Sequence, residues 1–411
     1  MNIQGIKIAD LAEKYGTPFY VYDFNRVKEK LEKIKKAFHF DEKRCEIFYA
    51  MKANSHPVLL DLIRKKNIGI DAVSPGEVEV ALKAGIAPEK ILYTGNFESD
   101  EDLARVYEQG VRINLDNSSS LDKLLKIGKP EIISFRINPG QGSGKYEHIT
   151  TGGEKAKFGI PVEQVLKAYK KAQNAGIEKF GIHTFLGSGI LDEDHFPEVV
   201  ELLLEKAHYI KSKLNIRFDF MDIGGGFGIN YFAENKRLDI KETGRRSLEK
   251  FDELVDKYDL GSPHLAIEPG RYIIGDSGFL VTKVTSIKES FRKYVGVNAG
   301  FNILLRPALY GAEHDIVIDG KENLAKSEKV DICGQICENT DIFARDRKLP
   351  PVDEGDLLIF KQAGAYANAM SMPYNMRMRT AEVGILDGQE KLITRHENLD
   401  DFYNRILVNK M

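Results

Sequence analysis

The sequence is short of cysteine, of excess charge and of long apolar runs, and each shortage excludes a class of protein. Only Cys45, Cys333 and Cys337 occur, in neither a disulfide framework nor a zinc-ligand spacing. The net charge is −3 with both signs mixed along the chain, so no surface for nucleic acid is expected. No apolar run is long enough to span a membrane. Near the N-terminus, Asp10 and Lys14 interrupt the apolar run that a signal peptide would need. We therefore expect a cytoplasmic protein that binds neither nucleic acid nor a membrane.

Internal repeats and a Gly-x-Gly-x-x-Gly motif at the first helix are also absent, which bears on the fold. A chain of 411 residues with 42% hydrophobic composition is expected to be globular, with about two domains. The candidate strands, each separated from the next by a helical pattern, span residues 46–50, 69–73, 90–94, 112–116, 132–138, 180–186, 218–223 and 265–268. Eight parallel strands with intervening helices predict a TIM-type (β/α)8 barrel. A doubly wound open sheet is the alternative, and the missing dinucleotide fingerprint disfavours it.

Beyond Arg271 the pattern changes to short strands separated by turns. The candidate strands there span residues 278–286, 294–297, 316–318, 329–333 and 356–360. This pattern is typical of an antiparallel β domain, either a β-sandwich or a β-barrel-like fold. A strand near Tyr20 could join that domain, because chain ends often lie close together. We expect the barrel to cover residues 26–276 and the β domain to cover residues 1–25 and 277–411.

Lys52 follows the first candidate strand, in the segment from Phe48 to Asn54. In a barrel of this type the chemistry lies at the C-terminal ends of the strands. A lysine there can be partly desolvated and can act as a nucleophilic amine. Taken alone, a solvated lysine in a loop is the commoner alternative, since most lysines are solvated.

Other rare motifs follow later strands, on the same predicted face of the barrel. Gly224, Gly225 and Gly226 let the backbone approach an anion, and Gly270 and Ser188 can add hydrogen-bond donors. A phosphate site after strands seven and eight is typical of such barrels. An isolated glycine cluster is more often only a tight turn. The presence of a lysine opposite the glycine run favours the phosphate site over a simple turn.

The lysine and the glycine run together predict pyridoxal phosphate, which needs an amine for its Schiff base and an anchor for its phosphate. It also needs a carboxylate at the pyridine nitrogen, and Glu268, at the end of the eighth strand, is placed for that role. A protonated ring nitrogen makes the cofactor an electron sink and favours a carbanion at the substrate α-carbon. No metal is expected.

Several motifs resemble those of the fold-type III pyridoxal-phosphate decarboxylases, and among these the diaminopimelate decarboxylases. They are Tyr49-Ala50-Met51-Lys52-Ala53-Asn54, Gly224-Gly225-Gly226, Glu268-Pro269-Gly270-Arg271, Arg306-Pro307-Ala308-Leu309-Tyr310, Cys337-Glu338 before Asp341, Gly364-Ala365-Tyr366, Thr151-Gly152 before Lys157-Phe158-Gly159, and Tyr374-Asn375 before Arg377. The resemblance covers nearly the whole chain and implies an alanine-racemase-like barrel.

The resemblance implies decarboxylation of meso-2,6-diaminopimelate to L-lysine and carbon dioxide, the last step of lysine biosynthesis. Lys52 and Cys337 are the implied catalytic residues, with Cys337 acting from the neighbouring subunit of a homodimer. The implied cofactor-binding residues are Lys52, Phe185, Ser188, Gly224, Gly225, Gly226, Glu268, Gly270, Arg271 and Tyr366. The implied substrate-binding residues are Arg271, Arg306, Tyr310, Glu338 and Tyr366. Arginine's planar fork suits the bidentate binding of a carboxylate.

Three positions depart from the family pattern. Phe185 stands where most members have a histidine stacked on the pyridoxal ring, and phenylalanine can stack but cannot titrate. Gly189 stands where these decarboxylases usually have glutamine, and Asn298 where an aspartate is usual. Phe185 and Gly189 motivate the main alternative, a decarboxylase of the same fold for another amino acid or a carrier-linked substrate.

Two further alternatives are less well supported. An amino-acid racemase of this fold is expected to have a weakly basic partner such as arginine at the pyridine nitrogen, where the resemblance places Glu268. A non-catalytic cofactor-binding protein would be signalled by loss of Lys52 or Cys337, and both are present. Cys337 could also be an inert thiol. His183, on a strand, is interpreted as structural, and Asp116 receives no role.

Overall fold

The computed structural model describes residues 1–40, 44–140, 153, 156–232, 234 and 236–406. Thr151 and Gly152, part of one family motif, lie outside these residues. The contacts divide the chain into two compact units. The barrel unit comprises Lys28–Asn230 and Lys236–Ile273, and the β unit comprises Met1–Val27, Tyr231–Asn235 and Ile274–Met411. Over the described part of the chain, no helix combines the length and apolarity that crossing a membrane requires.

The barrel unit contains a closed parallel sheet, which confirms the predicted fold. Its eight strands, in chain order, are Cys45–Ala50, Gly69–Ala72, Ile91–Tyr93, Arg112–Leu115, Ile132–Asn138, Lys179–His183, Phe218–Asp222 and His264–Ile267. Each strand pairs in parallel with the next, and the eighth closes the barrel against the first through Leu265 and Cys45. A short additional strand, Ile160–Pro161, pairs with the fifth. The open-sheet alternative is therefore wrong, because the sheet has no free edge between the first and eighth strands.

The sixth strand ends three residues earlier than predicted. It stops at His183, and the hydroxyl of Thr184 donates to the carbonyl oxygen of Ile137 at 3.0 Å. The N–H of Thr184 still donates to the carbonyl oxygen of Asp222 at 2.9 Å, and the chain beyond it forms a loop. This loop lies at the C-terminal ends of the barrel strands, and we call that end of the barrel the rim.

Helices alternate with the barrel strands. Those in this part of the chain are Phe24–Ala37, Pro57–Lys65, Pro75–Lys83, Asp100–Glu108, Ser118–Ile127, Val162–Asn174, His195–Leu214, Ile240–Lys257 and Arg271–Ile274, with 3-10 turns at Met51–Ala53, Pro88–Lys90 and Gly275–Ser277. Their starts follow sequence signals. Pro57 and Pro75 occupy first-turn positions, and Ser99 forms a capping box with Asp102.

The β unit contains a second large sheet and a separate two-stranded sheet, formed by Asn2–Ile3 and Ile6–Lys7. Its strands are Asn2–Ile3, Ile6–Lys7, Phe19–Asp23, Gly278–Glu289, Lys293–Val297, Ile316–Ile318, Glu328–Cys333, Ile342–Leu349, Leu357–Phe360, Ala381–Leu386 and Gln389–Thr394, and its helices are Ile8–Tyr15, Arg306–Tyr310 and Leu399–Tyr403, with 3-10 turns at Asn368–Met370 and Tyr374–Met376. The strand Phe19–Asp23 pairs antiparallel with Gly278–Glu289 and parallel with Ala381–Leu386. Most pairings are antiparallel, as predicted, and a second parallel one joins Lys293–Val297 to Glu328–Cys333.

Candidate active site

Lys52 lies on the rim, in the 3-10 turn that directly follows the first strand. Its Nζ atom is 2.6 Å from Oδ2 of Asp71, at the end of the second strand. The register places Ala50 opposite Asp71, so the two strand ends bring lysine and carboxylate together. Asp71 is fully buried, whereas the Lys52 side chain is 34% exposed. The amine therefore sits beside a buried carboxylate and stays accessible to a ligand.

Glu268 directly follows the eighth strand and is buried. Its Oε2 lies 3.5 Å from Nε2 of His183, and its Oε1 has no hydrogen-bond partner among the residues that the structure describes. Burial by itself raises the pKa of Glu268, but the facing His183 and the charge of Lys52 outweigh it and lower that pKa below the usual range. Glu268 is thus a carboxylate with one oxygen available to a donor such as a protonated ring nitrogen.

Two more carboxyl groups are buried near Glu268. Burial and the negative charge of Glu268 raise the pKa of Asp71 to about 6 and that of Asp222 well above its ordinary value. Oδ1 of Asp222 accepts a hydrogen bond from the N–H of Gly224 at 2.7 Å. Buried carboxyl groups with pKa values shifted in opposite directions are typical of active sites.

The glycine run follows the seventh strand and has no room for side chains. A Cβ on Gly225 would overlap the carbonyl oxygen of Glu268, and one on Gly226 would lie 2.6 Å from the carbonyl oxygen of Gly187. Gly224 has a φ of +71° and Gly226 a φ of +95°, in the left-handed region that favours glycine. The run therefore brings backbone rather than side chains to the rim, which suits a phosphate.

Phe185 and Ser188 lie in the loop after the sixth strand, beside the glycine run. A Cβ on Gly224 would lie 2.9 Å from Cδ2 of Phe185. The N–H of Ile190 donates to the carbonyl oxygen of Gly226 at 2.9 Å, which fastens the loop to the run. The structure therefore brings the predicted ring-stacking and phosphate-binding segments next to each other.

Gly270 and Arg271 continue the chain from Glu268 into the short helix Arg271–Ile274. The carbonyl oxygen of Pro269 accepts a hydrogen bond from the N–H of Ala50 at 3.2 Å, so this segment is tied to the strand that precedes Lys52. Arg271 is buried. The barrel unit thus carries every predicted cofactor residue except Tyr366.

The remaining predicted residues lie in the β unit. Arg306 begins the helix Arg306–Tyr310 and is buried, while Tyr310, at the end of the helix, is half-buried. Nη1 of Arg306 lies 3.2 Å from Nε2 of His314. Its guanidinium carbon lies 5.0 Å from the centre of the Tyr231 ring. Arg306 is a buried cation held in a defined place within this unit.

Tyr366 has a left-handed backbone, with a φ of +55°, and is half-buried. Two residues earlier, a Cβ on Gly364 would overlap the carbonyl oxygen of Ile274. A non-glycine residue with positive φ costs conformational energy and is more common at functional sites than elsewhere. The geometry is consistent with the predicted contact role of Tyr366, which stays a prediction.

Cys337 and Glu338 are exposed on a loop shaped by the buried Asp341. The two carboxylate oxygens of Asp341 accept hydrogen bonds from the N–H groups of Phe301, at 2.6 Å, and Ile336, at 2.7 Å. The N–H of Cys337 donates to the side-chain oxygen of Asn375 at 2.8 Å. Asp341 therefore has a structural role, and it holds the loop that presents the Cys337 thiol at the surface of the β unit.

Asn298, one of the three departures from the family pattern, has a structural explanation. Its Nδ2 donates to the carbonyl and hydroxyl oxygens of Thr17, both at 2.8 Å. Its Oδ1 accepts a hydrogen bond from the N–H of Lys283 at 2.8 Å. A carboxylate could not donate to Thr17, so this chain requires the amide.

The sequence places Asp71 at the end of the second strand, on the predicted functional face, but assigns it no role, and it gives His183 a structural role. The role of Asp71 could have been inferred because its strand is next to the one that precedes Lys52. His183 could have been found in the same way, since the register places it opposite Asp222. Neither residue belongs to a recognisable motif, and their contacts with Lys52 and Glu268 depend on the register between neighbouring strands.

The rim fits pyridoxal phosphate on three counts. Lys52 offers an accessible amine, and the glycine run offers backbone in place of side chains. Glu268 offers a buried carboxylate oxygen that no described residue contacts by a hydrogen bond. These are the groups that the cofactor's aldehyde, ring nitrogen and phosphate require.

Comparisons with known proteins agree with this chemistry. Residues 24–275 match the family model described as the pyridoxal-dependent decarboxylase, pyridoxal binding domain. The chain is 44% identical to diaminopimelate decarboxylase of Methanothermobacter thermautotrophicus, over 97% of this chain and 94% of that protein. It is 38% identical to the Thermoplasma acidophilum protein of the same name, over 98% and 96%. Its structure resembles diaminopimelate decarboxylase from Helicobacter pylori complexed with L-lysine, with a TM-score of 0.88 and 30% identity over 97% and 98% of the two chains.

The match to the family model covers the whole barrel, and the relatives match across both units. The alternatives of a racemase and of a non-catalytic protein are therefore not supported. The chain is a carboxy-lyase that uses pyridoxal phosphate, and it belongs to the family of pyridoxal-dependent decarboxylases.

Proposed function

We propose that the enzyme decarboxylates meso-2,6-diaminopimelate to L-lysine and carbon dioxide. The observation that carries the proposal is the near full-length similarity to diaminopimelate decarboxylases, in a chain that holds Lys52 and Glu268 on one barrel rim. The buried Arg306 in the β unit supports a substrate with a second carboxylate. A decarboxylase for a diamino monocarboxylic acid has no need of such a group.

The site residues proposed in the barrel unit act on protons at defined atoms. Pyridoxal phosphate, when bound, withdraws electrons from the α-carbon as the carboxylate leaves. The Nζ of Lys52 would hold the cofactor until the substrate amine displaces it and would then exchange protons with the substrate, while Asp71 stabilises its ammonium form. The Oε1 of Glu268, which has no hydrogen-bond partner among the described residues, would keep the ring nitrogen protonated, and His183 would keep Glu268 ionised. Phe185 would stack on one face of the cofactor ring.

The other proposed residues bind the anionic and cationic ends of the ligands. The residues that would hold the cofactor are Ser188, Gly224, Gly225, Gly226, Gly270, Arg271 and Tyr366. Arg271, Arg306 and Tyr310 bind the distal carboxylate of the substrate, and Glu338 binds the distal ammonium. The Sγ of Cys337 delivers a proton to the α-carbon after carbon dioxide leaves. Its exposure in the β unit supports action on a neighbouring subunit.

We also propose a homodimer, a cytoplasmic location, and functional domains at residues 26–276 and at 1–25 with 277–411. These three rest on the family resemblance and on the strand pattern of the sequence.

Genetic complementation tests the function. The gene is introduced into a bacterium that lacks its own diaminopimelate decarboxylase and needs added lysine. Growth without lysine is expected for the wild type and not for Lys52→Ala. Expressed, cofactor-loaded wild-type protein that leaves the requirement for lysine unchanged would contradict the proposal. It would turn attention to the alternative substrates suggested by Phe185 and Gly189.

A further inference from the structure

Arg306 is contacted from two directions by residues that belong to no motif considered so far. His314 is buried, and its Nε2 lies 3.2 Å from Nη1 of Arg306. Tyr231 places its ring 5.0 Å from the guanidinium carbon, within the range of a cation–π contact. The rings of His314 and Tyr231 also pack edge to face, with 5.6 Å between their centres. The three side chains form one packed group inside the β unit.

The hydrogen bonds fix which nitrogen of His314 carries the proton. Nδ1 lies 2.8 Å from the carbonyl oxygen of Lys361, and a carbonyl can only accept. Nδ1 must therefore donate, and in a neutral imidazole this leaves Nε2 as an acceptor. The Nη1 of Arg306 can only donate, so it matches that acceptor. His314 thus links Arg306 to the backbone just after the strand Leu357–Phe360.

Neighbouring contacts hold His314 and Tyr231 in place. His314 precedes the strand Ile316–Ile318, which pairs with Leu357–Phe360, and its carbonyl oxygen accepts a hydrogen bond from Arg347 at 3.2 Å. The guanidinium of Arg347 in turn lies 5.4 Å from the ring centre of Phe232, next to Tyr231. The acceptor and the aromatic ring therefore occupy fixed positions around Arg306.

We propose that His314 and Tyr231 are positioning residues that orient the guanidinium of Arg306 toward the distal carboxylate of the substrate. The inference rests on the proposed function, because that function gives Arg306 its ligand. A guanidinium has five N–H donors in a rigid fork, so fixing one donor and one face decides where the others point. Without the acceptor and the ring, Arg306 stays charged but turns away from the geometry that binds a carboxylate in two contacts.

Two ligands that differ only in the carboxylate test the proposal. L-Lysine keeps the distal carboxylate and ammonium of diaminopimelate, whereas 1,5-diaminopentane lacks the carboxylate. Each is titrated into the holoenzyme and followed by the change in cofactor absorption. The wild type should bind L-lysine more tightly. Loss of a hydrogen bond to a charged group predicts that His314→Leu weakens L-lysine about tenfold or more, with diaminopentane unchanged.

Conservative variants separate positioning from packing. His314→Gln keeps an acceptor toward Arg306 and a donor toward Lys361, so it should retain most of the affinity that His314→Leu loses. Tyr231→Phe keeps the aromatic face and should bind L-lysine almost as the wild type does, whereas Tyr231→Leu should not. With diaminopimelate as substrate, the Leu variants should raise KM much more than they lower kcat.

The outcomes distinguish the inference from the function on which it rests. A wild type that prefers L-lysine, with Leu variants that keep the same preference, would overturn the positioning roles and leave the function intact. A wild type that binds the two ligands equally and does not convert diaminopimelate would instead overturn the proposed function. Cofactor absorption and thermal unfolding identify any variant that fails to fold. Tyr231→Leu carries the test if His314→Leu does not fold.

Discussion

At the scale of single residues, the barrel unit buries several carboxyl groups beside one lysine. Asp71 is fully buried against Lys52. Asp222, Glu268 and His183 form a second buried group, in which one side-chain oxygen or nitrogen of each residue lies within 4.8 Å of those of the other two. Buried charges are costly unless they are paired, and such clusters seldom stabilise a fold. The cofactor explains the carboxylates at the strand ends. Asp71 faces the amine of Lys52, and Glu268 is placed to face the protonated ring nitrogen.

Replacing Lys52 by alanine should remove the covalent link to the cofactor. The holoprotein is expected to lose its absorption band in the near-ultraviolet to violet region, with no turnover. Lys65→Ala is the matched control, because Lys65 is 61% exposed and pairs only with Asp61 among the ion pairs that the described residues form. A band that survives in Lys52→Ala would remove this lysine from the mechanism.

The buried Asp116 predicts a dependence of stability on pH. Burial raises the pKa of Asp116 to about 6, although Arg136, at 3.8 Å, opposes the rise. The folded chain holds this proton longer than the unfolded chain, so its contribution to stability is largest below pH 4 and is lost as the pH rises to 6. Relative to Asp116→Asn, the wild type should lose at most about 3 kcal/mol of unfolding free energy between pH 4 and 7.

Denaturant unfolding of both proteins at several pH values measures this difference. Parallel curves for the wild type and Asp116→Asn would show that Asp116 ionises normally in the folded chain. The sign is the opposite of that for a carboxylate stabilised by an ion pair, so the experiment also shows whether burial or Arg136 dominates.

At the scale of elements, the glycine run is fixed by close backbone contacts. Gly225→Ala would place a methyl group over the carbonyl oxygen of Glu268, and crowding of this kind costs about 1 to 3 kcal/mol. Because the run and Glu268 would have to move apart, we expect weaker cofactor binding, measured by titration of the apoenzyme with pyridoxal phosphate. Gly76→Ala is the control, since its nearest contact, Oγ of Ser74, lies at 3.8 Å. Equal affinity in the two variants would contradict the account of the run.

Most elements could be predicted because their patterns are local. The eight barrel strands are short apolar runs bounded by turns, and all eight occur near the expected places. The strand Ile342–Leu349 was missed because, among the described strands, it lies at the edge of its sheet and carries charges along its exposed side. Two further strands were missed, Ala381–Leu386 and Gln389–Thr394. The first of them pairs with Phe19–Asp23, which is far away in sequence, so no local pattern indicates the pairing.

The candidate site could be predicted only in part, for a related physical reason. Lys52, Glu268 and the glycine run each closely follow a buried strand. Their position in the strand pattern was therefore enough to indicate a cofactor site. Asp71 and His314 are ordinary residues whose roles depend on a contact distance. His314 acts through Arg306, and no pattern in the sequence relates a histidine to a carbonyl oxygen at Lys361.

At the scale of the whole molecule, the proposed mechanism requires two copies of the chain. If Cys337 serves the neighbouring subunit, each active site combines Lys52 from one chain with Cys337 from the other. Cys337→Ala alone should slow turnover greatly and leave cofactor binding intact, because it removes a proton donor and no anchor.

Mixing two inactive variants tests this arrangement. Lys52→Ala and Cys337→Ala are unfolded together and refolded, so that subunits exchange at random. Half of the dimers then contain one of each chain, and each such dimer has one intact site, so about a quarter of the wild-type activity should return. A mixture that stays inactive, although size measurements show that the subunits have exchanged, would place both residues in a site within one chain.

The most direct test of the function is carbon dioxide release with product identification. Purified holoenzyme is given meso-diaminopimelate, L-lysine, L-ornithine or L-arginine in separate reactions. We predict rapid release from diaminopimelate alone, with one L-lysine formed for each carbon dioxide. Release from one of the other amino acids, with none from diaminopimelate, would contradict the assignment of the substrate and leave the cofactor chemistry of Lys52 and Glu268 in place.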